Sequence, residues 1–196
     1  RMLANSPVPV VITSSDTLRL KSPERTADRI HSLGDNAEAE FLKALYDISS
    51  KQFNSAMIHY GNAVENSAGG KYEELYKAFY YMNRAVLRAD MIEFISSIEN
   101  NVQTLTMDDQ GTTRARVKDQ VSMGYDYSDA VADMRTAAGI VGDIPYIHFN
   151  LGNLLCLSSS FVEAIDSYSK AISLYPYMGD AYFNRGLVLI YLKDKE

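Results

Sequence analysis

Three histidines, one cysteine and a scatter of carboxylates are the side chains of this 196-residue chain that could cut a bond or hold a metal. A helical metal site places two ligands four residues apart, or spells His-x-x-Glu-His, so that both face one side. His31, His59 and His148 fit neither spacing. His148 stands where a packed aromatic is expected and reads as structural. Asp108-Asp109 followed by Gly111 lacks the regular acidic ladder of a calcium loop and reads as a solvated turn. Gly69-Gly70-Lys71 shares the end of a phosphate-binding loop, but the first glycine, its spacer and the preceding apolar strand are missing. General acid–base chemistry needs carboxylates paired in one cleft; Glu73, Glu74, Asp126, Asp129 and Asp133 fall at helix-surface spacings. Cys156 lies inside a helical stretch and reads as a small buried hydrophobe. No catalytic residue, metal site or cofactor site assembles, and the expectation is a chain that is not an enzyme.

Composition narrows the partners. A formal net charge of −6 argues against general nucleic-acid binding, which needs clustered Lys and Arg against phosphates. The apolar fraction of 46% is enough for a continuous core. No apolar run approaches the ~20 residues that span a bilayer. A single cysteine allows no internal disulfide, which fits a cytoplasm and leaves a bacterial periplasm or cell envelope open.

The elements that position these residues repeat. Asn150-Leu151-Gly152 returns 34 residues later as Asn184-Arg185-Gly186. Ala164, Tyr168 and Ala171 fall at i, i+4 and i+7, the stripe of a helix, and Pro176 closes that unit. The stripe recurs as Ala130, Met134, Ala137 and as Ala56, Tyr60, Ala63. Ala44 precedes Ala56 by the interval that separates Gly152 from Ala164, and Phe53 matches Phe161. Small residues at these places let two helices approach to about 8–10 Å, with large residues filling between.

The period divides residues 37–196 into units at about 37–70, 72–110, 111–144 and 145–178, with a half-unit at 179–196. The 72–110 unit is divergent: Asn83-Arg84-Ala85 is recognisable, but Ser97 and Asn101 replace the small and aromatic residues, and Asp90-Met91-Ile92-Glu93 predicts a capping box that opens a second helix. In 111–144 the first helix is degenerate, with Lys118 where a small residue belongs. Residues 1–21 are β-branched and proline-containing, an extended linker or arm. Ser22-Pro23-Glu24 predicts the start of a short capping helix within 22–36, ended by Gly34, and Asp35 with Glu38 predicts the start of the first unit. The final unit stops after one helix, as in a fragment of a longer chain.

Over residues 37–196 the chain resembles the tetratricopeptide repeat family, with a regular spelling similar to its bacterial members. The resemblance implies an all-α, right-handed superhelical solenoid of antiparallel helix pairs, whose first helices line a concave groove that binds a protein or peptide segment. Carried over position by position, it nominates Tyr146, Phe149, Asn150, Asn153 and Cys156, then Asp180, Phe183, Asn184, Leu187 and Tyr191. Upstream it adds Thr112, Ala115, Arg116 and Asp119, with Asn83 and Arg84 near the same face. One branch of the family clamps the terminal carboxylate of chaperone tails with a basic residue where this chain has Phe149 and Phe183, which speaks against that ligand. The groove reads instead as aromatic walls with amides able to hydrogen-bond a peptide backbone. The leading expectation is an interaction scaffold. The alternatives are a structural or assembly spacer within a larger multidomain or envelope protein, and a regulatory domain attached to a catalytic module elsewhere. Leu187–Leu192 is apolar nearly all round, so a homodimer, residues beyond Glu196 or the N-terminal arm is expected to cover it.

Overall fold

A computed structural model describes residues 28–30, 32–68, 71–103 and 125–194. Within them the long elements are all helices: α1 (Ala37–Ser49), α2 (Phe53–Glu65), α3 (Lys71–Gln103), α4 (Ser128–Ile140), α5 (Pro145–Leu157), α6 (Phe161–Leu174) and α7 (Gly179–Lys193). The extended segment 1–21 and the opening of the capping helix expected at 22–36 lie outside the described residues.

Local chemistry sets the ends. Asn36, one residue later than Asp35, is the N-cap of α1: its Oδ1 accepts the Ala39 N–H at 2.8 Å. Glu38 and Glu40 in the first turn suit the positive end of the helix dipole. α5 opens on Pro145, whose missing N–H is no loss at the first helical position. The α1–α2 and α5–α6 turns share one geometry. Lys51 (φ 60°) and Ser159 (φ 62°) take the left-handed conformation, while Gln52 N–H bonds to Asp47 O at 2.8 Å and Ser160 N–H to Leu155 O at 2.7 Å.

α3 departs from the expected division. It runs 33 residues without a break, through Asp90-Met91-Ile92-Glu93, so no second helix starts there. The segment contains neither Gly nor Pro, and Asp90 takes helical backbone where a cap must be extended. The partner of α3 is instead α4, which lies along it as closely as α2 lies along α1 and α6 along α5. Ala78, Met82, Ala85 and Ala89 of α3 share one core with Ala130, Met134 and Ala137 of α4. Residues 72–103 therefore form one helix and not a pair of their own. The first helix expected in 111–144 falls on residues that are not described.

The result is an all-α helical solenoid: α1/α2, α3/α4, α5/α6, then α7 on the end. The main core runs from α3 to α7. At the other end, Phe41 packs its ring against Tyr60 (centroids 5.8 Å apart) and Tyr80 (5.0 Å), tying α1 to α2 and α3. The repeated small residue shows its purpose at Gly152, where an added Cβ would sit 2.6 Å from the Tyr168 ring.

Candidate functional site

α5 and α7 are equivalent helices in successive units, yet they present their nominated residues very differently. Phe149 and Phe183 share a repeat position; Phe149 is 2% exposed and Phe183 54%. The cause is coverage. α5 has neighbouring helices on both sides, whereas α7 is the last described helix. Phe149 packs its ring against Tyr168, with centroids 6.0 Å apart.

The nominated amides are interior. Asn150, Asn153 and Asn184 have no exposed surface. Tyr168 OH donates to Asn153 Oδ1 at 2.7 Å, and Asn184 Nδ2 donates to the same oxygen at 3.0 Å. One acceptor thus joins α5, α6 and α7. A peptide lying on the surface does not reach these groups, which corrects the expectation of amides offered to a ligand backbone. Cys156 is buried beside them, its Sγ 3.5 Å from Tyr168 OH. Burial pushes the thiol up from its ordinary range, against the opposing effect of the Tyr168 hydrogen bond, and so disfavours the thiolate.

Asn83 and Arg84 are also engaged within the fold. Asn83 is buried and donates to Phe79 O at 2.8 Å. Arg84 forks onto Asp133 of α4, and Arg88 Nη1 lies 3.2 Å from the same carboxylate. Thr112, Ala115, Arg116 and Asp119 lie outside the described residues.

What remains open is a stripe on the leading helices. Tyr146 of α5 is exposed, as are Asp180 and Phe183 of α7, with Leu187 and Tyr191 half-buried. Tyr191 is partly committed to packing, its ring 4.8 Å from that of Phe161. Helical spacing places Asp180, Phe183, Leu187 and Ile190 along one side of α7. Ile190 is 60% exposed; the sequence placed it in the apolar 187–192 segment but not among the groove residues. Its place, seven residues after Phe183, was the available signal.

His59 and His148 bond within the framework. His148 Nε2 lies 2.9 Å from Gly142 O. His59 bridges α2 to α1, its Nδ1 2.8 Å from Glu40 Oε2 and its Nε2 3.6 Å from Asp47 Oδ2. Glu40 is buried and also receives Lys43 Nζ at 2.7 Å and Asn62 Nδ2 at 2.8 Å. His31 lies outside the described residues. Among the described residues no group of three His, Cys, Asp or Glu could hold a metal ion, and no helix is long and apolar enough to cross a membrane.

No protein-family model and no curated protein matches the chain. Among solved structures it is similar to the Arabidopsis OM64 TPR domain, at 17% identity over 78% of this chain and 93% of that one, with a TM-score of 0.52. At such identity the likeness speaks for the fold alone. This chain has a TPR-like fold.

Proposed function

We propose that the protein is a non-enzymatic interaction scaffold that takes a polypeptide segment against the leading helices of its solenoid. The observation that carries this reading is the apolar stripe of α7, where Phe183 and Ile190 stand 54% and 60% exposed beside Leu187 among the described residues. Tyr146 extends the stripe onto α5 and Asp180 edges it with charge. An extended or helical segment with two or three apolar anchors one helical turn apart is the matching ligand. The buried Asn150, Asn153 and Asn184 act as the frame that sets the spacing of α5 and α7.

The test begins with peptides selected from a displayed random library and confirmed by fluorescence polarisation. Replacing Phe183 and Ile190 together with Ala should weaken such a peptide by at least tenfold, because a few apolar anchors dominate such contacts. Helix content should not change. Full affinity in the folded double variant would remove the stripe from the interface. A photo-crosslinker at position 146 should label the same peptide.

A second reading is self-assembly, favoured by the exposure of Leu189 (50%) and Ile190 on α7. Light scattering across a concentration series separates the two: a growing mass that Leu189→Lys abolishes supports assembly, and a constant monomer mass refutes it.

A further inference from the structure

We propose that an open cavity lined by α1, α2 and α3 binds a small organic cation, an apolar body ending in an amine, with the Asp90 carboxylate as its counter-ion. The cavity has a volume of about 310 Å³. That is at the small end of the ~300–1,000 Å³ usual for ligand pockets. Its walls are Leu45 and Ile48 of α1, Tyr60 of α2, and Leu87, Met91 and Phe94 of α3. The cavity owes its far side to the unbroken course of α3. Asp90, Met91 and Phe94, at and just after the expected break, continue the same helix and line the cavity.

Polarity is asymmetric. Asp90 joins the lining from α3, and among the described residues no hydrogen bond or ion pair holds its carboxylate. Glu93, one turn on, adds like charge to the same edge. Asp90 is exposed on its outer side and stands at the mouth of the cavity, where partial desolvation against the apolar wall, with Glu93 second, raises its carboxyl to about 6. A carboxylate so placed lacks the counter-charge that a bound ammonium would supply, while an anion would meet the like charge of Asp90. The net charge of −6 further favours cations over anions near this surface. A neutral apolar ligand would fill the walls and leave the carboxylate unanswered.

The experiment uses three probes with one apolar body: n-octylammonium, 1-octanol and n-octanoate, each below its micellar concentration. Methyl NMR of the methionines reports occupancy through Met91. The expected result is a saturable shift of Met91 with octylammonium, at least tenfold weaker binding of octanol, and octanoate weaker again. Asp90→Asn should bring octylammonium down to the level of octanol. Leu45→Phe, which narrows the cavity, should weaken both. Equal affinities for ammonium and alcohol, an unchanged preference in Asp90→Asn, or Met91 shifts that never saturate would each overturn the proposal. Circular dichroism of each variant confirms that the helices persist. This site is remote in sequence from the α7 stripe, so failure here leaves the peptide-binding reading standing, and the reverse also holds.

Discussion

Arg84 and Asp133 meet as a two-pronged ion pair across 49 positions of sequence, Nε to Oδ2 at 2.8 Å and Nη2 to Oδ1 at 2.7 Å. The pair joins the middle of α3 to the middle of α4, and the Tyr81 ring stacks under the guanidinium 5.2 Å from its centre. It marks α4 as the partner of α3. Removing Asp133 strands Arg84 in a largely dry contact, a loss of about 3–5 kcal/mol when both groups are buried. Arg84 keeps some solvent access, with 17% of its side chain exposed, so the expected loss for Asp133→Ala is about 2–3 kcal/mol. That for Arg84→Ala is smaller, because Arg88 still lies 3.2 Å from the Asp133 carboxylate. Arg84→Lys should recover less than half, because an ammonium cannot make the fork. Urea unfolding of the three variants checks the order.

Gly152 and Gly186 occupy the same repeat position, and the structure separates them. A Cβ at Gly152 would strike the Tyr168 ring, while one at Gly186 meets nothing within 4 Å. Gly152→Ala should therefore destabilise by about 1–3 kcal/mol through overpacking. Gly186→Ala should be neutral or stabilise by up to about 1 kcal/mol through helix propensity. Thermal melts of the two single variants give the comparison, and a loss at Gly186 equal to that at Gly152 would contradict the assigned packing.

Ser159 holds φ 62° at the end of α5, where a side chain carries steric strain and glycine does not. Ser159→Gly is expected to raise stability by about 0.5–1 kcal/mol, with Lys51→Gly alike at the end of α1. Their gains should add, since the two turns lie in separate units. Equilibrium denaturation of both singles and the double measures this.

Glu40 makes folding sensitive to acid. Burial alone would raise its carboxyl, but hydrogen bonds from His59, Lys43 and Asn62 overcome that and hold it at about 2, below an ordinary value near 4.5. A depressed folded value means the unfolded chain binds the proton first as pH falls. The stabilisation is thus complete above about pH 5 and drains away between there and pH 2. Glu40→Gln should lower stability at pH 7 and flatten the acid limb. A chemical-denaturation series from pH 7 to pH 2.5 reads both; parallel acid limbs would remove Glu40 as the source.

Helix pairs, their period and the close approach at Gly152 could be read from the chain, because each depends on residues within a few turns of one another. The Ala164, Tyr168, Ala171 stripe and its copies foretold α6, α4 and α2 because burying one face of a helix demands apolar residues at its own period. The course of α3 was not legible in the same way. Asp90 and Glu93 have the spacing of a capping box, but four residues cannot show whether the backbone before them has left the helix.

Which nominated residues face a ligand lay still further beyond local pattern. Phe149 and Phe183 are the same amino acid in the same place of the repeat, and the helices stacked on either side of α5 bury the one while the other stands exposed among the described residues. The pairing of Arg84 with Asp133 and the burial of Asn153 beneath Tyr168 and Asn184 depend likewise on contacts between distant segments. Sequence by itself settled that this chain is a stack of amphipathic helices, since that follows from side-chain periodicity along one strand of polymer. Tertiary structure alone decided which helices pair and which faces stay open, because exposure belongs to the assembled neighbours of a residue and not to the residue.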